Sequence, residues 1–292
     1  MEAEGEKMQV SMKELLEAGV HFGHQVRKWN PKMRPYIYTA RDGVHVLDLA
    51  QTVTKLGEAF EFVKELGQSN KTIIFIGTKK QAAGIIEEEA RRCEAMWVSH
   101  RWIGGTLTNW DQVQKNIKKL ADLKSKLASG YYTDRTKKEL LLMQREVNRL
   151  EMMYGGLEKL NRLPDAVFVV DCQKEDNAVR EAKKMGVPIV AICDTNCDPE
   201  ALDFPIPGND DAVKAIRLIT KAMADAYLEG RQLGEKQAKV AESKRVEEPE
   251  LVVEKSGEPV KAKKTSGKTA KAVKAKVIKP KTSKKTVKKK VK

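Results

Sequence analysis

Three short apolar runs decide what this chain can fold into: Lys71-Thr-Ile-Ile-Phe-Ile-Gly77, Ala166-Val-Phe-Val-Val170 and Val187-Pro-Ile-Val-Ala-Ile-Cys193. Each is strand-sized and apolar at successive rather than alternate positions, which suits a strand buried on both faces. Helical patterns follow them at residues 79–93, at 175–185 and from about 210. Residues 51–67 place Val53, Leu56, Ala59, Phe60 and Val63 on one helical face, and Ala95 to Ser99 read as a further short strand. Strand alternating with helix predicts an α/β fold: a parallel sheet with right-handed crossovers and helices on both faces.

Ahead of this alternation, residues 11–18 predict a short helix with Ser11 as N-cap and Glu14 completing a capping box, ending near Gly19. An irregular stretch from His21 to Pro35 follows. Residues 36–40 and 44–47 flank Arg41-Asp42-Gly43, whose Asp-Gly favours a tight turn, and predict a hairpin. The rhythm breaks again at 108–160. Val113, Ile117, Leu120 and Leu127 make one apolar stripe, while Leu140, Met143, Val147, Leu150, Tyr154 and Leu157 step by threes and fours in a heptad seam. Two helices joined through Ser129-Gly130-Tyr-Tyr-Thr predict an antiparallel coiled-coil hairpin inserted into the α/β body, projecting beyond it.

The expected organisation is therefore a discontinuous body of residues 1–107 and 161–230, the hairpin at 108–160, and a tail from 231 to 292. No aromatic residue follows Tyr227, and the charged, bulk-poor sequence beyond about 231 predicts disorder. The apolar runs are too short for a membrane helix, so no membrane partner is expected. The N-terminus lacks a leader pattern, and Cys93, Cys172, Cys193 and Cys197 form no Cys-x-x-Cys pair, so a reducing, cytoplasmic setting is the expectation.

Charge is unevenly placed. The chain carries +14, but residues 261–292 hold 15 Lys and no acid, which leaves 40 basic against 41 acidic residues in 1–260. Residues 112–150 contain ten basic and four acidic residues, so the rest of residues 1–260 sums to −7. A uniformly basic coat for RNA is excluded; the pattern suits contact with polyanions in particular places.

Two segments carry that chemistry. Arg27, Lys28, Trp29, Lys32 and Arg34, with Tyr36 and Tyr38 behind them, mix charges, a guanidinium fork and flat rings in a proline-constrained loop, as phosphate contact with base stacking requires. The competing reading is an ordinary loop whose Trp plugs the core. In the hairpin, Lys115, Lys118, Lys119, Lys126, Lys137, Lys138, Arg145 and Arg149 lie mostly off the apolar seam, and their surplus favours an RNA backbone over a solvated coiled-coil face. Ile76-Gly77-Thr78-Lys79-Lys80 sits at a strand-to-helix turn suited to an anion, but lacks the full phosphate-loop spacing, so Lys79 and Lys80 are read as RNA contacts. Cys172 and Cys193 end parallel strands and are expected as neighbours, with Cys197 close by. His24, Asp194, Asp210 and Asp211 are the nearest candidates for a metal, but spacing alone assigns none, and no cofactor is expected. A nucleotide-dependent enzyme and a general polyanion binder acting through its tail stay open on these residues alone.

Leu15-Leu-Glu-Ala-Gly-Val-His-Phe-Gly-His24, Trp29-Asn-Pro-Lys-Met33, Ile76-Gly-Thr-Lys-Lys-Gln81, Arg101-Trp-Ile-Gly-Gly-Thr-Leu-Thr-Asn109, Leu163-Pro-Asp165, Asp194-Thr-Asn-Cys-Asp-Pro199 and Phe204-Pro-Ile-Pro-Gly-Asn-Asp-Asp211 occur in order. From about residue 8 to residue 230 the chain resembles the bacterial-type small-subunit ribosomal protein family S-two. The resemblance implies a flavodoxin-like sheet with an inserted coiled-coil hairpin, a place on the solvent side of the small subunit, and no catalytic activity. Its implied partners are small-subunit rRNA and neighbouring ribosomal proteins, including the messenger-binding protein S-one; no small-molecule substrate and no obligate homo-oligomer are implied. Arg101, in one of these motifs, joins the expected RNA contacts. The Lys-rich extension after residue 260 departs from the family pattern.

Overall fold

The apolar runs become the middle of a five-stranded parallel sheet. In this computed structural model, which describes residues 10–247 apart from Thr133, with side chains through Gln237, the strands are β4 (Ile73–Ile76), β5 (Met96–Val98), β6 (Ala166–Val170), β7 (Ile189–Cys193) and β8 (Phe204–Pro207). They lie in the order β5-β4-β6-β7-β8, all neighbours parallel. Counted along this sheet alone the order is 2-1-3-4-5, the flavodoxin-like arrangement, with its switch point between β4 and β6.

Both faces of the sheet are covered. Ile73 and Phe75 point into one core with α2 (Leu49–Gln68), α3 (Lys80–Arg92) and α7 (Val213–Glu247), while Ile74 and Ile76 point into the other. That second core also receives Val113, Ile117 and Leu120 of α4 (Trp110–Ala128), Val147, Leu150 and Tyr154 of α5 (Lys137–Tyr154), and Ala178, Val179 and Ala182 of α6 (Asp176–Met185). The base of the hairpin is thus part of the body's own core. The heptad seam of α5 is buried from Val147 onward, whereas Leu140 and Met143 toward the turn are only half-buried.

The capping box forms as expected: Ser11 and Glu14 exchange hydrogen bonds at the start of α1 (Met12–Glu17). The expected hairpin is β2 (Ile37–Arg41) with β3 (Val44–Leu47). The stretch expected to be irregular contains a third strand, β1 (Phe22–Gln25), paired antiparallel with β3, and two 3-10 turns at Val26–Lys28 and Pro31–Tyr36.

One strand was not foreseen, and one expectation is corrected. β8 does not stand out in the sequence because Pro205 and Pro207 occupy it; as the sheet's outer strand it tolerates residues without an N–H. Nor does the ordered chain end near 231: α7 continues to Glu247. Its Ala, Glu, Lys, Gln and Arg residues are strong helix formers although they offer little bulk for a core. Gly67, Gly230 and Gly234 let α2 and α7 approach backbone to backbone; a Cβ on Gly230 would collide with the Lys64 carbonyl. The Lys-rich segment beyond Glu247 lies outside the described residues, as does the N-terminal stretch before Val10. Among the described residues no helix is long and apolar enough to cross a membrane.

Candidate nucleic-acid interface and sheet-edge cluster

The expected RNA contacts separate into charges already satisfied within the protein and charges left open. Lys32 is satisfied: its ammonium lies 2.8 Å from Asp198 and 2.7 Å from Glu200, and these carboxylates hold it above its ordinary pKa. Lys119 and Arg149 share Glu146 at 3.1 and 2.8 Å. Lys126 pairs with Asp122 at 2.7 Å. Lys124, which no sequence pattern singles out, bridges Glu151 and Glu158 at the hairpin base. Trp29 is half-buried, its ring centroid 5.2 Å from that of His45.

Arg27, Lys28, Arg34, Lys80, Arg101, Lys115, Lys118, Lys137, Lys138 and Arg145 are exposed and make no ion pair among the described residues. Arg27 reaches only the side-chain oxygen of Gln25, at 3.1 Å, and Lys118 that of Gln114, at 3.4 Å. Arg27, Lys28 and Arg34 stand on the two 3-10 turns, and Lys80 opens α3. Of the other six, Arg101 is in the loop before α4 and five lie on α4 and α5.

Lys79 belongs to a different structure. It caps the start of α3 at the end of β4, and its ammonium contacts Asp171 at 3.2 Å, Asp210 at 2.8 Å and Asp211 at 2.6 Å. With its side chain only 14% exposed and three carboxylates around it, Lys79 is corrected from an RNA contact to an internal counter-ion. Burial opposes its charge, but the Asp210 and Asp211 carboxylates outweigh that and hold it above the ordinary lysine value. Asp171 follows β6, Asp194 follows β7, and Asp210 and Asp211 follow β8, so the cluster occupies the carboxyl edge of the sheet, where open α/β folds form their crevices.

His24, from β1, completes the cluster. Its Nδ1 lies 2.9 Å from Asp194 Oδ2 and its Nε2 3.6 Å from Asp211 Oδ2. Its backbone N–H donates to the Thr195 hydroxyl at 2.9 Å. The Asp194 carboxylate foremost, with Asp210 and Asp211 behind it, outweighs burial and raises His24 to about 9. Burial, reinforced by Asp171 and Asp194, raises Asp210 to about 7 against the pull of Lys79. Lys79 instead holds Asp211 below the ordinary range. Beside the cluster, Thr78 donates both its N–H and its hydroxyl to Glu175, whose pKa burial raises nonetheless. Of the metal candidates, His24, Asp194 and Asp210 bring one potential ligand atom each within 4.8 Å of one another.

The expected thiol neighbourhood also forms. Cys172, Cys193 and Cys197 are buried in one core, and contact with Cys193 and Cys197 together with burial holds Cys172 well above its ordinary pKa. Cys193 Sγ lies 3.5 Å from Met33 Sδ.

One residue in the Arg101–Asn109 segment's neighbourhood was not visible in sequence. Glu181, on α6, accepts hydrogen bonds from Trp102 Nε1 and from the backbone N–H groups of Gly105, Leu107 and Thr108, at 2.7 to 3.2 Å. Burial works to raise its pKa, but these donors hold it below the ordinary value. The Gly-Gly motif thus winds around an anion supplied by the protein itself. A family model described as Ribosomal protein S2 matches residues 15–230, about three quarters of the 292 residues.

Proposed function

The chain belongs to the ribosomal protein S2 family, whose members are structural, non-enzymatic constituents of the small ribosomal subunit, and from that premise we propose how it is held there. The α4–α5 hairpin is a coiled-coil arm that lies against small-subunit rRNA, with Lys115, Lys118, Lys137, Lys138 and Arg145 on phosphates. Arg27, Lys28 and Arg34 form a second anchor on the body, and Lys80 and Arg101 add to it.

The division of charge carries this reading. Lys119, Lys124, Lys126 and Arg149 are neutralised by acids of the hairpin and its base, yet five exposed cations there keep no carboxylate. Phosphate contacts of this kind position a protein without reading sequence. Replacing Lys115, Lys118, Lys137 and Lys138 by Gln should weaken association with small-subunit rRNA and flatten its log–log salt dependence by about 0.7–0.9 for each phosphate no longer neutralised. An unchanged slope would assign the hairpin to a protein neighbour.

A second role rests on the acidic remainder of the chain up to residue 260, net −7 once residues 112–150 are set aside. It suits docking of other ribosomal proteins, S-one among them, on a cytoplasmic ribosome. Charge reversal of exposed body carboxylates such as Glu58 and Glu88 that left partner binding intact would refute this.

A further inference from the structure

Three of the chain's four cysteines meet in one core although they come from separate stretches of the sequence. Cys172 stands two residues beyond β6, Cys193 closes β7, and Cys197 lies in the loop that follows. Pairing of Val170 with Ile192 sets the ends of β6 and β7 side by side, and the Cys172 thiol donates to the Ile192 carbonyl at 3.2 Å. The loop after β7 then turns back on itself, the Cys197 N–H donating to the Asp194 carbonyl at 3.0 Å, which returns Cys197 to the other two thiols.

The three thiols differ in access. Cys193 is fully buried, its sulfur against that of Met33. Cys172 and Cys197 instead line a cavity of about 290 Å³, bordered by Asn30, Asp176, Asn196 and Asp198. One water needs only roughly 15 Å³ of such space, so a small polar molecule fits easily. The two also differ from a thiol that only packs. Cys93, in the opposite core, is pushed up to about 11, burial foremost. Cys197 is held below its ordinary value by the Cys172 and Cys193 thiols, against the effect of burial. A sulfur that readily gives up its proton, beside one that keeps it, suits thiol oxidation, because the thiolate is the nucleophile.

We propose that Cys172 and Cys197 are a redox-active pair that closes to a disulfide on exposure to hydrogen peroxide. The Cys197 sulfur attacks one peroxide oxygen and the O–O bond breaks; the sulfur is oxidised to a sulfenic acid, and the other oxygen, reduced, takes the Cys197 proton and leaves as water. The Cys172 sulfur then attacks the Cys197 sulfur and the S–O bond breaks, the hydroxyl leaving with the Cys172 proton as a second water. Two thiols and one peroxide thus become one disulfide and two waters, and a dithiol reverses the change by exchange. The bond ties the loop carrying Asp198, the partner of Lys32, to the end of β6. Disulfides of this kind in reducing compartments are transient and sense oxidants. The pair acts independently of the cations proposed to meet RNA.

The test uses the full chain, reduced, treated with chelator, freed of reductant and exposed to a small molar excess of hydrogen peroxide. Two of the four thiols should disappear, the chain should lose the mass of two hydrogens without dimerising, and dithiothreitol should restore both thiols. A protease that cuts before aspartate separates Cys193 from Cys197 at Asp194, and the linked fragments should be those of Cys172 and Cys197. These measurements need no variant. Under the same treatment Cys197→Ser should keep its three remaining thiols, whereas Cys193→Ala should still lose two. No thiol lost, a link through Cys193 or Cys93, a link between two chains, sulfinic or sulfonic acid without a link, or unchanged thiol loss in Cys197→Ser would each overturn the proposal.

Discussion

Lys79→Met removes the ammonium at the centre of the sheet-edge cluster while keeping much of its stem. The Lys79 side chain is 14% exposed, and its partners Asp171 and Asp210 are 11% and 0% exposed, so their contacts at 3.2 and 2.8 Å are largely shielded from water. Asp211 is 56% exposed, so its share at 2.6 Å is small after solvent screening. Breaking a buried pair strands the surviving charge, which costs about 3–5 kcal/mol when the site cannot neutralise itself. Asp210 can do so by taking a proton. Its pKa already stands near 7 with Lys79 present and rises further without it, so the penalty for its ionised form appears only above that value. The variant should therefore lose about 3–5 kcal/mol at pH about 8.5 and clearly less at pH about 5.5. Chelated full-length protein unfolded in urea at the two pH values measures this. A loss under about 1 kcal/mol at both would refute the counter-ion role of Lys79. An undiminished loss at the lower pH would refute the proton-uptake argument.

Other outcomes follow from the same geometry. Glu181→Ala frees four donors around Gly105 and should cost about 2–3 kcal/mol in urea unfolding; a cost within about 0.5 kcal/mol would show that the loop holds itself. Gly230→Ala forces α2 and α7 apart and should cost about 2 kcal/mol or more, whereas Gly84→Ala, on the open face of α3, should gain about 0.5–1 kcal/mol by helix propensity. Equal effects at the two positions would contradict the close helix approach. For His24, raised to about 9, the added stability is complete below the unfolded value near 6.5 and is lost as pH rises through 9. Asp210 acts in the same direction, and Asp194, Asp211 and Lys79 face both groups. The thermal midpoint of chelated protein should thus fall between pH about 6 and about 9.5, and His24→Gln should flatten that fall; a parallel profile in the variant would count against it.

Legibility in the sequence tracked the range of the interaction. β4, β6 and β7 are continuous apolar runs, and the Ser11 and Asp-Gly signals are local, so each announced its element. β1 hid because Phe22-Gly-His-Gln25 has neither apolar continuity nor alternation, and only pairing with β3 makes it a strand. The far end of α7 hid because lack of bulk resembles disorder even where helix propensity is high. Among site residues, Cys172 and Cys193 were foreseeable as neighbours because both end strands of one sheet. Lys79 was misassigned: its three carboxylates arrive from residues 171, 210 and 211, far along the chain, and nothing near Lys79 hints at them. Glu181 looked like any exposed acid on a helix until the loop around Gly105 closed on it.

Sedimentation of native lysate through sucrose gradients at moderate and high salt, with fractions probed for this protein and for small-subunit RNA, bears most directly on the functional reading. Stoichiometric co-migration with the small subunit at moderate salt is the predicted result. Migration as a free protein near its own mass of 32.8 kDa would contradict it.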